Sequence, residues 1–276
     1  MLGVNTIAMS KNSSIRSISR ALRILQAINR HDYLNLGEIS DITNIPYSTA
    51  WRIVSTLENE SIIERETSSK SYRATAMAQS LSCGYQEPSR LVAIARPHIV
   101  KITNEIGWPV CILSRVGPNM VVQDSTHELT PLTFSEYHPG YSIPIESSAS
   151  GKAYLAFIDA KKRKHIIDEI MRTSLDSESE ILTETLQDHH FKMILEDGYA
   201  SFIRNPHAKD PGKRSSIAVP LYRGEMLVGV LTLLFFSTTM RVVDAFKQYE
   251  KLIFEAQTKI SRDLVEVKLF NSKTLN

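Results

Sequence analysis

The sequence predicts an α+β chain in two parts: a small helical unit ending in a polar hairpin, then a larger antiparallel sheet flanked by helices. Three patterns predict it. Apolar residues recur at helical spacing in consecutive segments between Ile15 and Leu57. A short hairpin composition follows, ending at Ala74. Beyond Pro88, strand-like apolar runs joined by turn residues are interleaved with amphipathic helices. The expected boundaries are residues 14–75 for the helical unit, 76–87 for a linker helix and 88–270 for the sheet domain.

In the first helix Ile18, Leu22, Leu25 and Ile28 make one expected apolar stripe, with Arg16, Arg20, Arg23 and Arg30 falling mainly elsewhere. The second helix opens at Asn35, three residues before Glu38, a spacing that lets the two side chains satisfy free amide groups at a helix start. Ile39 and Ile42 are expected to point inward. Asn44, Ile45 and Pro46 break the chain, because proline disfavours helical geometry in the residue before it yet is tolerated at a helix entrance.

The third helix then starts near Tyr47 or Ser48, with Ala50, Ile53, Val54 and Leu57 inward. Ser48, Thr49, Trp51, Arg52 and Ser55 occupy its opposite face, and all are hydrogen-bond donors. Two short helices joined by a tight turn, the second polar outside, form a helix-turn-helix. The hairpin from Ile62 to Ala74 is the wing, with Lys70 and Arg73 expected near its tip. A merely solvated polar face is the alternative for an isolated helix pair; the order helix, helix-turn-helix, wing favours double-stranded DNA. The expected contacts are Arg20, Tyr47, Ser48, Thr49, Trp51, Arg52 and Ser55, with Lys70 and Arg73 on phosphate.

Residues 75–86 read as a small-residue connector helix ending near Gly84. Pro88 opens a helix whose apolar side is Leu91, Ile94, Ala95, Ile99, Ile102 and Ile106, closed by Gly107. Strands are expected at 110–116 and 120–125 around the turn Gly117-Pro118-Asn119, and at 199–204, 216–222 and 227–236. Helices are expected at 150–157, 161–173, 184–197 and 244–269.

Bulk properties narrow the class. With 276 residues, 42% of them hydrophobic, the chain is long enough for two domains that each bury a core. A net charge of +2 leaves any DNA-attracting field to local arginines and lysines. Two cysteines, Cys83 and Cys111, cannot build a disulfide framework or a four-cysteine metal site. No export signal is expected in residues 1–10, and the apolar run 226–236 is too short to span a membrane, so no membrane partner and a cytoplasmic location are expected.

Enzyme signatures fail on inspection, and neither a cofactor nor a metal is expected. Gly151-Lys152 is not a phosphate loop, because Glu146 stands where a glycine is required and Ala153 replaces the serine or threonine. No serine lies three residues before Lys152, and no Gly-x-Ser-x-Gly turn occurs. His189 and His190 diverge by about 100° on a helix, so they are expected to be surface residues rather than joint metal ligands.

A small-molecule pocket remains. Ser147, Ser148 and Ser150 precede a helix whose first amides are suited to an anion. Arg204, at a strand end, has the fork that holds a carboxylate, with a surface ion pair as its alternative. Phe134, Tyr137, Trp108 and Phe202 offer aromatic walls or ordinary core, and Cys111 is a small buried strand residue. The expected ligand contacts are Cys111, Phe134, Ser148, Ser150, Phe202 and Arg204.

Several segments together resemble one known family, the IclR type of bacterial transcription factor. They are 17–25, 36–39, 45–57, 144–156 and 216–221, spread over most of the chain. Within that family the chain is similar to activators of 3-hydroxyphenylpropionate-type aromatic catabolism, through 108–110, 120–122, Thr126-His127 and 147–151. Trp51 departs from the commoner pattern of a small residue or histidine on the recognition helix. The resemblance implies a GAF-like sensor domain and a catabolic operon as target. It also implies dimer contacts through the amino-terminal module and wider assembly through the sensor, hence a homodimer or homotetramer. A small aromatic acid would be the effector and RNA polymerase a further partner. A small-molecule enzyme carrying a helix-turn-helix-like appendage stays open as the second class.

Overall fold

The computed structural model describes residues 15–31, 33–82, 90–132, 137–173, 188–203 and 214–271. The chain divides into two compact units, residues 1–86 and 87–276.

In the first unit, helix α1 (Arg16–Arg30) buries only its carboxy-terminal half, through Ile24, Leu25, Ala27 and Ile28. The expected stripe is therefore broken: Ile18 and Leu22 are each 55% exposed. Helices α2 (Leu36–Thr43) and α3 (Tyr47–Asn59) complete a core with Ile39, Ile45, Ala50 and Val54. Asn35 caps α2 as expected: its side chain accepts from the Glu38 amide at 3.1 Å, and its own amide donates to Glu38 Oε2 at 2.8 Å. Asn44 adopts a left-handed conformation with φ of 51°, which turns the chain so that Ile45 is buried and Pro46 leads into α3. Ile42 does not point inward. It is 52% exposed, because three residues past Ile39 on a helix of only eight residues it falls beyond the α1 and α3 contact.

Strands β1 (Ile63–Arg65) and β2 (Tyr72–Ala74) pair antiparallel, with Ile63 and Tyr72 anchoring the hairpin in the core. Of the connector, a short helix α4 (Met77–Ser80) is described; residues 83–89, including Cys83 and Pro88, lie outside the described residues.

The second unit is built on a six-stranded antiparallel sheet in the order β5-β4-β3-β8-β7-β6. Its strands are β3 (Val110–Val116), β4 (Asn119–Ser125), β5 (Ser142–Pro144), β6 (Ala200–Ile203), β7 (Arg214–Arg223) and β8 (Met226–Phe236). Strand alternation divides the side chains between two faces. Val110, Ile112, Ile217, Val219, Leu231, Leu233 and Phe235 face α5 (Arg90–Ile106) and α9 (Val242–Asn271). Cys111, Leu113, Ala218, Val230 and Leu234 face α6 (Ala149–Phe157), α7 (Ala160–Thr173) and α8 (Asp188–Asp197).

Two details depart from expectation, and one more runs against the usual effect of proline. Pro97 lies inside α5, although proline cannot donate to the carbonyl four residues back; the helix continues because Leu91, Ala95, Ile99 and Ile102 pack it onto the sheet. Strand β5 was not foreseen, since three residues are too few to show an alternation. Trp108 packs edge-on to Phe235 and Phe236, with centroids 6.4 and 5.6 Å away, so it belongs to the α5 and α9 layer and cannot wall a pocket with Phe202 on the other face.

Candidate functional site

Helix α3 displays a continuous outer face. Tyr47 and Trp51, one turn apart, are 59% and 55% exposed, and Ser48 and Arg52 stand beside them in the same exposed class. Thr49 and Ser55 are half-buried at its edges. The Arg52 side chain makes no hydrogen bond or ion pair among the described residues. Two large exposed aromatics side by side mark a surface suited to a partner, and the unpaired guanidinium beside them is free to bond to it. Arg20 sits half-buried on α1.

The wing differs in detail. Lys70 occupies the tip in a left-handed conformation with φ of 55°, its amide donating to the Glu66 carbonyl at 3.0 Å. Arg73 is not at the tip but within β2, directly opposite Glu64 in the ladder. Its Nε donates to Glu64 Oε1 at 2.6 Å and its other arm to the Tyr33 hydroxyl at 3.1 Å, which holds the guanidinium above its usual pKa. The cross-strand pairing that a hairpin imposes therefore compensates this charge within the unit.

On the α6 face of the sheet, one rung runs Ser125, Cys111, Thr232, Ala218, Ala200 across five strands. All are small and buried. Against them packs α6, itself lined with Ala149, Ser150, Gly151 and Ala153. Thr232 is 4% exposed, and its hydroxyl has no hydrogen-bond partner, an arrangement that costs desolvation energy. Cys111 donates to Ser125 Oγ at 3.2 Å, and complete burial pushes its thiol pKa up to about 12.

The serine-rich entrance to α6 is closed on itself. Ser148 Oγ accepts from the Gly151 amide at 3.0 Å and from the Ser150 hydroxyl at 3.2 Å, and lies 3.3 Å from the Pro144 carbonyl as donor. This is an ordinary N-cap, so the Gly151 amide is not open to an anion as the sequence led us to expect. Gly151 itself is required by packing, since a β-carbon there would meet the backbone of Ile145.

Residues 17–67 match the protein family described as the IclR helix-turn-helix domain. Over those residues the amino-terminal unit is similar to an IclR-type helix-turn-helix domain. Across 180 residues the chain is 26% identical to the HTH-type transcriptional regulator TtgV of Pseudomonas putida, a match covering 63% of this chain and 64% of that protein. Its fold is similar to that of an IclR family transcriptional regulator from Brucella abortus, with a TM-score of 0.65 at 20% identity over 93% of this chain and 95% of that one. It is also similar to an IclR homologue from Microbacterium hydrocarbonoxydans complexed with 4-hydroxybenzoate, with a TM-score of 0.56 at 18% identity over 90% and 98% of the two chains.

The sheet unit brings Cys111, Ser148, Ser150 and Phe202 to one face, all in or against the same core. Phe134 and Arg204 lie outside the described residues. Thr232 was missed by sequence reading because a threonine inside the run 226–236 looks like any strand residue; only its register neighbours reveal the unpartnered hydroxyl. Lys152 was also missed as a site residue: its ammonium lies 5.2 Å from the centre of the Phe202 ring, and burial lowers its pKa. The rings of His189 and His190 lie close together, tilted by 34° with centroids 4.0 Å apart, and His190 is half-buried instead of lying on the surface. No cluster of three metal-ligating side chains occurs among the described residues.

Proposed function

We propose that this chain is a ligand-responsive transcription regulator that binds double-stranded operator DNA of a catabolic operon through α3 and the wing. The observation that carries the reading is the exposed row of Tyr47, Ser48, Trp51 and unpaired Arg52 on the second helix of an IclR-type helix-turn-helix. The second unit, read as a GAF-like sensor, takes a small aromatic acid on the α6 face, against Cys111, Thr232, Ser150 and Phe202, with Phe134 and Arg204 as further contacts. Binding of 4-hydroxybenzoate by a homologue of the same fold supports that ligand class. The regulator works in the cytoplasm as a homodimer or homotetramer and activates by aiding RNA polymerase. Among the described residues no helix is long and apolar enough to cross a membrane.

An enzymatic reading finds no support at this face. Ser148 and Ser150 use their hydroxyls at the start of α6, and Lys152 turns to Phe202 instead of activating a serine. The deciding experiment is a gel shift on the DNA beside the gene at several salt concentrations, with and without 4-hydroxybenzoate or 3-hydroxyphenylpropionate. Affinity falling steeply with salt and altered by an acid is expected, because phosphate neutralisation releases counterions and a ligand acts only through unequal affinity for two states. Salt-independent or absent binding refutes the DNA reading, and an unresponsive shift refutes the aromatic-acid reading alone.

A further inference from the structure

Lys152 leads to a second feature, separate from the rung of small residues. A cavity of about 380 Å³ opens at the edge strand β6, between α6 and α8, lined by Lys152, His190, Phe191, Met193, Ile194 and Tyr199, with Ser201 and Asp197 at its margin. Its volume falls within the range of about 300–1,000 Å³ usual for small-molecule sites. Two of its polar groups have no protein partner among the described residues. The half-buried Lys152 ammonium has the Phe202 ring beneath it and no carboxylate paired with it among the described residues. The Nδ1 of His190 is shielded from solvent and has no hydrogen-bond partner among the described residues.

A partly desolvated ammonium calls for an acceptor that carries negative charge. Phe191, fully buried, and half-buried Ile194 and Tyr199 supply an apolar wall beside it. Asp197 lines the cavity but is exposed to solvent. Its carboxylate at the mouth opposes a second negative charge on the ligand.

We propose that the β6-edge cavity binds a small monocarboxylate with an apolar body, the carboxylate on the Lys152 ammonium and the body against Phe191 and Ile194. Monoanions are selected over dianions by Asp197. The site adjoins the effector face around Thr232, with Phe202 between them, and does not depend on the DNA reading.

The test uses the full chain with its methionine methyl groups labelled with carbon-13, titrated with benzoate, because Met193 lines this cavity and reports on it by NMR. A saturable shift of the Met193 methyl is expected with benzoate, and a shift weaker by a factor on the order of ten or more with uncharged benzamide or with the dianion phthalate, since a charge-assisted hydrogen bond is at stake. Lys152→Gln should weaken benzoate by a similar factor and Lys152→Arg should retain it, while Lys164→Gln, on the exposed side of α7, should leave the Met193 titration unchanged. An unmoved Met193 methyl, equal titration by benzoate and benzamide, or an unchanged affinity in Lys152→Gln would each overturn the assignment. The benzamide comparison needs only the unaltered protein, so misfolding of a variant cannot shield the proposal.

Discussion

A β-carbon placed on Gly151 would stand 1.7 Å from the carbonyl oxygen of Ile145. The turn of residues 145–147 lies directly on the first turn of α6, and Ser148 joins the two by capping the Gly151 amide. Backbone, unlike a flexible side chain, cannot swing aside. Gly151→Ala is therefore expected to destabilise the second unit by at least about 1–3 kcal/mol, the usual cost of overpacking. Urea unfolding checks this; a midpoint unchanged from the parent protein would show that the turn can retreat.

Arg52 is exposed and unpaired, so Arg52→Ala should leave stability within about 0.5 kcal/mol and remove roughly 1–3 kcal/mol of discrimination at one base position. Binding to systematically varied operators measures it. Lys70→Ala should weaken all sequences equally and lower the salt slope by about one. Arg73→Ala should do less, because Glu64 already faces that charge at 2.6 Å. A larger effect from Arg73 than from Lys70 would mean that the pair opens on DNA.

Ile15, Ile18 and Leu22 line one side of α1 with exposures of 62%, 55% and 55%. Spaced three and four residues apart, they form an apolar strip that a second copy of the domain would cover, in keeping with symmetric reading of two half-sites. Leu22→Glu should shift the amino-terminal contact toward dissociation and lower operator affinity by about tenfold or more, without unfolding the domain. Sedimentation of the protein on operator DNA decides; unaltered stoichiometry and affinity would remove α1 from the interface.

Thr232→Val replaces a buried, unpartnered hydroxyl by a methyl group of similar size. In ligand-free protein this should raise stability by about 1 kcal/mol. If the hydroxyl serves an effector, the same change should weaken the aromatic acid that alters DNA binding. Greater stability with unaltered acid response would remove Thr232 from the pocket.

Burial holds the Cys111 thiol near a pKa of about 12, whereas in an unfolded chain it ionises near about 8.5. The folded state thus binds a proton that the unfolded state releases. The contribution to stability is complete below the unfolded value and is lost as pH rises from there toward about 12. In a Cys83→Ser background, Cys111 should resist iodoacetamide at neutral pH and react only on unfolding. Rapid labelling of the native protein would show that the α6 face opens.

What the sequence determined by itself was everything that short-range geometry controls. Asn35 and Glu38 are three residues apart, and their reciprocal cap follows from that spacing alone. The helix periods, the turn at Asn44 and Pro46, and the apolar run in 227–236 are local in the same sense, so the two-part α+β order was legible. Tertiary structure alone decided which apolar residues are covered and which polar ones are stranded. The periodicity of α1 is uniform from Ile18 to Ile28, yet only the half that meets α2 and α3 is buried. Arg73 became a paired residue through its register with Glu64, and Cys111 and Thr232 became neighbours because β3 lies beside β8. A strand's own sequence shows which residues share a face, but the partner opposite each one depends on register and strand order. Those are fixed by the packing of distant segments.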